Sequence, residues 1–113
     1  MSQNKNKLIN LFIGNISNSA VHTILEKAIE EENIRKHYDK ESLLSFEVAK
    51  KYRNKINPKN TSLPEKDVKT IKAKIIIKVN AELRLRISKG YQNINLELVS
   101  PVIDKLLKKT KIT

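Results

Sequence analysis

The chain has no cysteine, which excludes disulfide bonds, thiolate metal ligands and cysteine nucleophiles. Zinc would have to be held by histidine and carboxylate, and there are only two histidines. Aromatic residues make up 4% of the chain and glycines number 2, and no phosphate-cradling glycine loop can be picked out. No run approaches the roughly 18–20 consecutive apolar residues of a membrane span. The longest, residues 8–16, is broken by Asn10, Gly14 and Asn15. It is also short and poorly flanked for a secretory signal, so a cytoplasmic location with no membrane partner is expected. Acid is the remaining shortage: 23 Lys and Arg face 12 Asp and Glu, a formal charge of +11. A charge that large bears on solubility and partners rather than on fold. Usage rich in Lys, Ile and Asn is that of an AT-rich genome, which itself raises the lysine count.

At 113 residues the chain has the length of one domain. Residues 1–7 are polar and basic and are expected to be a disordered end, leaving 8–113 as a single globular domain. Residues 8–13 are apolar and β-branched with Gly14-Asn15 behind them, the pattern of a short buried strand and a turn. Val21, Ile24, Leu25, Ala28 and Ile29 then mark one face of a helix, with Ser17, Asn18 and Ser19 as candidate N-cap oxygens. Glu30, Glu31 and Glu32 fall at its C-terminal end, where the helix dipole disfavours them. A second helix is expected from Asp39 as N-cap to about Ile56, ended by Asn57-Pro58. Ser62-Leu-Pro-Glu65 reads as a capping box opening a third helix.

From Ile71 to Ile87 every odd position is apolar, and most even positions are polar or basic. That strict alternation, with β-branched Ile and Val, points to a β-hairpin near 72–79 and 82–88. The row Val68, Ile71, Ile75, Val79, Leu83 also fits a helix. Gly90 marks a further turn, Ile94, Leu96 and Leu98 alternate as a third strand would, and Ser100-Pro101 opens a last helix with Val102, Ile103, Leu106 and Leu107 on its buried face. The expected fold class is therefore α+β: three N-terminal helices, a basic β-hairpin or small antiparallel sheet, and a C-terminal helix.

Charge is unequal along the chain, with 10 basic and 7 acidic residues in 1–56 against 13 and 5 in 57–113. On a hairpin, Lys72, Lys74, Lys78, Arg84 and Arg86 share the face opposite the core, with Lys69 and Lys89 at its ends. Such a ribbon suits a phosphate backbone, whose binding is driven by counterion release. Three helices followed by a basic hairpin resembles the winged-helix layout of DNA-binding domains. The resemblance implies a third helix in the major groove and a wing on the backbone. Leu11-Phe-Ile-Gly-Asn-Ile16 and Lys89-Gly-Tyr-Gln-Asn-Ile-Asn-Leu96 also resemble the two conserved peptides of RNA-recognition motifs. In that family the residues at Phe12 and Tyr91 stack on bases. Here the second peptide has Asn93 for its other aromatic, and the two lie about twice the usual distance apart.

Enzymatic patterns are thin. His22 and Glu26, at i and i+4, are the spacing of a shared metal or proton, but they sit beside an apolar row. His37, Asp39 and Glu41 read as a capping cluster. The expected function is non-enzymatic binding of DNA or RNA through Lys69, Lys72, Lys74, Lys78, Arg84, Arg86 and Lys89, with no cofactor and no metal. The alternative is a protein-interaction or assembly module, a homodimer pairing through Ile75 to Ile77 or through the apolar face of 102–107.

Overall fold

Every described segment that the alternation marks as strand is helical or irregular instead. The structure is a computed structural model that describes residues 2–57 and 63–113, with side chains from Lys5 onward. It holds four α-helices: α1 (Ser2–Ala28), α2 (Glu32–Ile56), α3 (Glu65–Ser88) and α4 (Val99–Lys109). A 3-10 turn at Leu96–Leu98 leads into α4 and stands where a third strand was expected. No strand occurs among the described residues. The α+β class, the hairpin and the winged-helix order are all overturned.

The correction to the hairpin has a simple cause. Ile71, Ile75, Val79 and Leu83 are odd-numbered, but they are also four residues apart, so they form one ridge along a helix. All four are buried. The other odd positions face outward: Ala73, Ala81 and Leu85 are exposed, and Ile77 is 67% exposed. A strand would have buried both sets. Gly90 does mark a turn, because α3 ends there. Its φ of +102° is open to glycine without steric cost, and the Tyr91 amide folds back to donate to the Arg86 carbonyl at 3.1 Å.

α1 also overrides its punctuation. Gly14 and Asn15 lie inside the helix, with the Asn15 amide nitrogen donating to the Leu11 carbonyl at 2.8 Å. The helix stays ordered because its apolar residues wrap most of its girth, and α2, α3 and α4 each pack against it. Phe12, Ile13, Ile16, Ala20, Val21, Ile24 and Leu25 are buried in this core. Phe12 is 0% exposed, which removes it from any stacking role, and the likeness to RNA-recognition motifs goes with it. Lys5–Ala28 is long and apolar enough to cross a membrane by length and composition alone, and half of it is covered by the other helices.

The acids at 30–32 belong to the next helix rather than to α1. Glu31 is the N-cap of α2, its carboxylate accepting from the amides of Asn33 (3.2 Å) and Ile34 (2.9 Å). There the dipole favours them. Asp39, the expected cap, is a mid-helix residue, as are His37 and Glu41. α3 starts at Glu65 with Pro64 as its N-cap; Ser62 of the capping box and residues 58–61 of the expected loop lie outside the described residues. α4 starts at Val99, with Ile103, Leu106 and Leu107 buried. That face and Ile75 are core, while Ile77 is exposed and Val102 half-buried.

The turn at 29–31 makes α1 and α2 an antiparallel hairpin, and small side chains bring the two helices together. The Ser19 hydroxyl donates to the Ser42 carbonyl at 3.0 Å, and the Ser42 hydroxyl donates to the Ser19 carbonyl at 3.0 Å. Each hydroxyl has one hydrogen, so Thr23 must donate to Ser42 Oγ at 2.7 Å. Asn18 Nδ2 donates to Ser45 Oγ at 2.6 Å beside them. Asn18 and Ser19, expected with Ser17 to cap a helix start, lie inside α1 and join it to α2 instead.

α3 runs in the same direction as α1. Asn6 and Asn10 lie by Asp67 and Lys74 at one end, while Leu25 and Ala28 lie by Tyr91 and Ile94 at the other. α4 runs back antiparallel, and its end is fastened by Arg53 of α2. That side chain is 1% exposed. Its Nε donates to the Thr110 carbonyl at 2.9 Å and an NH2 group to the Lys111 carbonyl at 2.8 Å. Its other amino group meets the Asn57 side chain. Burial pulls the guanidinium below its usual pKa, but arginine remains charged in proteins. The bundle measures 45 × 23 × 21 Å, its length set by α1, since 27 residues at 1.5 Å each span about 40 Å.

Candidate nucleic-acid interface

The seven basic residues expected to form one face are distributed around α3. A helix turns by about 100° per residue, so alternate residues do not share a side. Lys74 and Lys78, four apart, lie together on one flank. Lys72 is on another flank and reaches α4, where its Nζ is 2.7 Å from the Asp104 carboxylate. Lys69 pairs with Glu65 at 3.5 Å and Arg86 with Glu82 at 3.4 Å. Arg86 also lies over the Tyr91 ring, 5.5 Å from its centre. Arg84 and Lys89 point away from the Lys74 flank or lie past the helix end. The hairpin ribbon does not exist.

The helix directions create a different concentration of charge. The first turns of α1 and α3 and the last turns of α2 and α4 share one end of the bundle. The segments meeting there are 5–7, 47–57, 63–74 and 104–113. They carry 14 Lys and Arg against 4 Asp and Glu. The remaining described segments, 8–46 and 75–103, carry 8 against 8. Three of the four acids at the basic end are already engaged: Glu47 with Lys50 at 3.3 Å, Glu65 with Lys69, and Asp104 with Lys72. Lys55, Lys105, Lys108 and Lys109 are exposed and make no ion pair among the described residues. Part of this charge answers the dipoles of α2 and α4, whose C-termini are negative. Lys50, Lys109 and Lys111 border a cleft of about 220 Å³ between those two termini, with no carboxylate in its lining.

The opposite end has another character. Glu26, Glu30, Glu32 and Asp39 surround a shallow cleft with Arg35 and Lys36. Both histidines are here. His22 Nδ1 donates to the Asn18 carbonyl at 2.8 Å, and its ring lies 5.6 Å from that of Tyr38. His37 lies on the far side of Tyr38 at 6.0 Å. Burial raises the Tyr38 pKa, Tyr91 raises it further, and Arg86 opposes both. The His22 and Glu26 pair does not gather a third ligand; no group of three metal-binding side chains occurs among the described residues.

Between the ends, α2 and α4 form the walls of a groove of about 500 Å³ floored by Ser19 and Thr23 of α1. Leu43, Phe46, Leu98 and Val102 line it, and Lys105 and Lys109 sit toward the basic end. The residues that sequence reasoning missed are therefore those of α2 and α4. The pair Lys108-Lys109 is visible in the chain, but the meeting of Lys109 with Lys50 at one cleft depends on which helices run together. The chain matches no known protein family, no curated protein and no solved structure.

Proposed function

We propose that the protein is a non-enzymatic nucleic-acid-binding protein that holds the phosphate backbone against the basic end of its bundle. The observation that carries this reading is the segregation of charge: nearly the whole formal excess falls on one end, where most of the carboxylates are already paired. A concentrated field attracts polyanions more strongly than the same charge spread evenly. Four helix ends contribute lysines to this end, where aromatic rings are few. Backbone contact of this kind positions a nucleic acid without reading its bases.

Fluorescence anisotropy of labelled duplex DNA and single-stranded RNA tests the reading. Replacing Lys55, Lys105, Lys108 and Lys109 together by Gln is expected to weaken binding by about tenfold or more near physiological salt. It should also flatten the slope of log affinity against log salt by about 3 to 4, as the loss of four phosphate contacts requires. Replacing Lys40, Lys78, Arg84 and Lys89 by Gln removes the same charge from elsewhere and is expected to change affinity by less than about threefold. Equal losses from the two sets would mean that only net charge matters and would end the assignment to this surface.

A further inference from the structure

α2 carries an outward stripe that the fold leaves uncovered. Ile34, His37, Glu41, Leu44, Val48, Lys51 and Lys55 recur at alternating steps of three and four, the spacing of a coiled-coil seam. Leu44 is 52% exposed and Val48 37% exposed. The Asn18–Ser45 hydrogen bond sets the antiparallel register of α1 against α2, which puts exposed Leu11 of α1 at about the level of Tyr52. The core of α2 lies on a different side, at Ser42, Ser45, Ala49, Arg53 and Ile56.

The charges flanking the strip are arranged about its centre. Glu41 lies five residues before position 46 and Lys51 five residues after it. Among the described residues neither makes an ion pair, although other charges of α2 do: Glu32 with Lys36 and Glu47 with Lys50. A two-fold axis through position 46, perpendicular to α2, sets Leu44 on Val48 of a second copy. The same operation sets Glu41 on Lys51, twice. The parallel arrangement would instead oppose Glu41 to Glu41 and Lys51 to Lys51, which is repulsive. Charge thus selects both the occupant and its direction.

We infer that the protein forms an antiparallel homodimer through the Glu41–Leu44–Val48–Lys51 stripe of α2. The interface is isologous, so each favourable contact occurs twice. It lies along the side of the bundle and does not rest on the reading of the basic end, whose segment 47–57 includes its Lys51; oligomeric state and nucleic-acid affinity test the two separately.

Sedimentation equilibrium of the full chain over a concentration series is the test. The wild type is expected to dimerise, and Leu44→Asp to leave a folded monomer, with circular dichroism confirming the helices. Glu41→Lys and Lys51→Glu should each weaken association by about tenfold, since either change converts two attractive pairs to repulsive ones. Combining them restores both pairs with signs exchanged and should return the dimer to near wild-type strength. A wild type that stays monomeric at every concentration overturns the inference. So does a dimer indifferent to Leu44→Asp, or a double charge variant no stronger than the singles.

Discussion

At one end of the bundle α1 turns within three residues into α2, and the acids of that turn sit at a helix start, where Glu31 caps exposed amides. At the other, α2 and α4 finish side by side, and Arg53 joins them by donating to the carbonyls beyond α4. The first end solves the problem of unpaired amides with carboxylates close in sequence. The second solves the problem of unpaired carbonyls with a cation that comes from 57 residues away. Helix ends demand acid at one terminus and base at the other. In this up-and-down bundle each end holds two N-termini and two C-termini, so the two polar fastenings answer the needs of single helix ends rather than an axial dipole.

The largest effect that would break this contrast is expected from Arg53→Ala. It strands buried carbonyls and leaves a void, and it should cost about 3 kcal/mol of stability in urea unfolding. Removing the exposed Arg84 by the same change should cost no more than about 0.5 kcal/mol. Next comes the pair of fourfold Gln variants, which asks whether the two ends differ toward a polyanion as they do in composition. A smaller effect belongs to the waist between them. Ser42→Ala removes the hydroxyl that both donates to the Ser19 carbonyl and accepts from Thr23, and is expected to cost about 1–2 kcal/mol, read in the same unfolding experiment.

The smallest effect concerns Tyr38 at the acidic end. Its pKa is raised in the folded state by burial. Above the ordinary tyrosine value the unfolded chain therefore loses its phenolic proton first, and stability should fall as pH rises toward the raised value. Tyr38→Phe should remove that part of the decline, which sets in as pH passes the ordinary tyrosine value of about 10. An unchanged slope would show that Tyr38 has no share in holding the acidic end.

The helices themselves were largely legible. The rows at Val21 to Ala28, Leu44 to Ile56 and Val102 to Leu107 each fall within a helix, with Ile29 just past the end of α1, though Asp39 misplaced the start of α2 by about two turns. What misled was α3. A ridge at every fourth position, with Ala73, Ile77, Ala81 and Leu85 also apolar, reads as period two, and only burial tells the sets apart. Gly14 misled for a related reason: tertiary packing on three sides of α1 outweighs the roughly 1 kcal/mol that a mid-helix glycine costs. The basic surface was legible as an amount of charge and not as a place. Lys50 and Lys109 come to border one cleft through the up-and-down order of the helices, which no local pattern encodes.

The two polar fastenings also differ in how much chain each must close. The serine clasp joins residues 19 to 27 apart, while the bonds from Arg53 span 57 and 58. Loop-closure entropy grows with the logarithm of length, so the longer ring costs about 0.8 kcal/mol more to form. The α1–α2 hairpin is thus the piece that can assemble first, and α4 is the piece that arrives last. In hydrogen exchange, amides of α4 should open together and ahead of those around Ser19 and Ser42, with Arg53 acting as the bolt of that late-closing door.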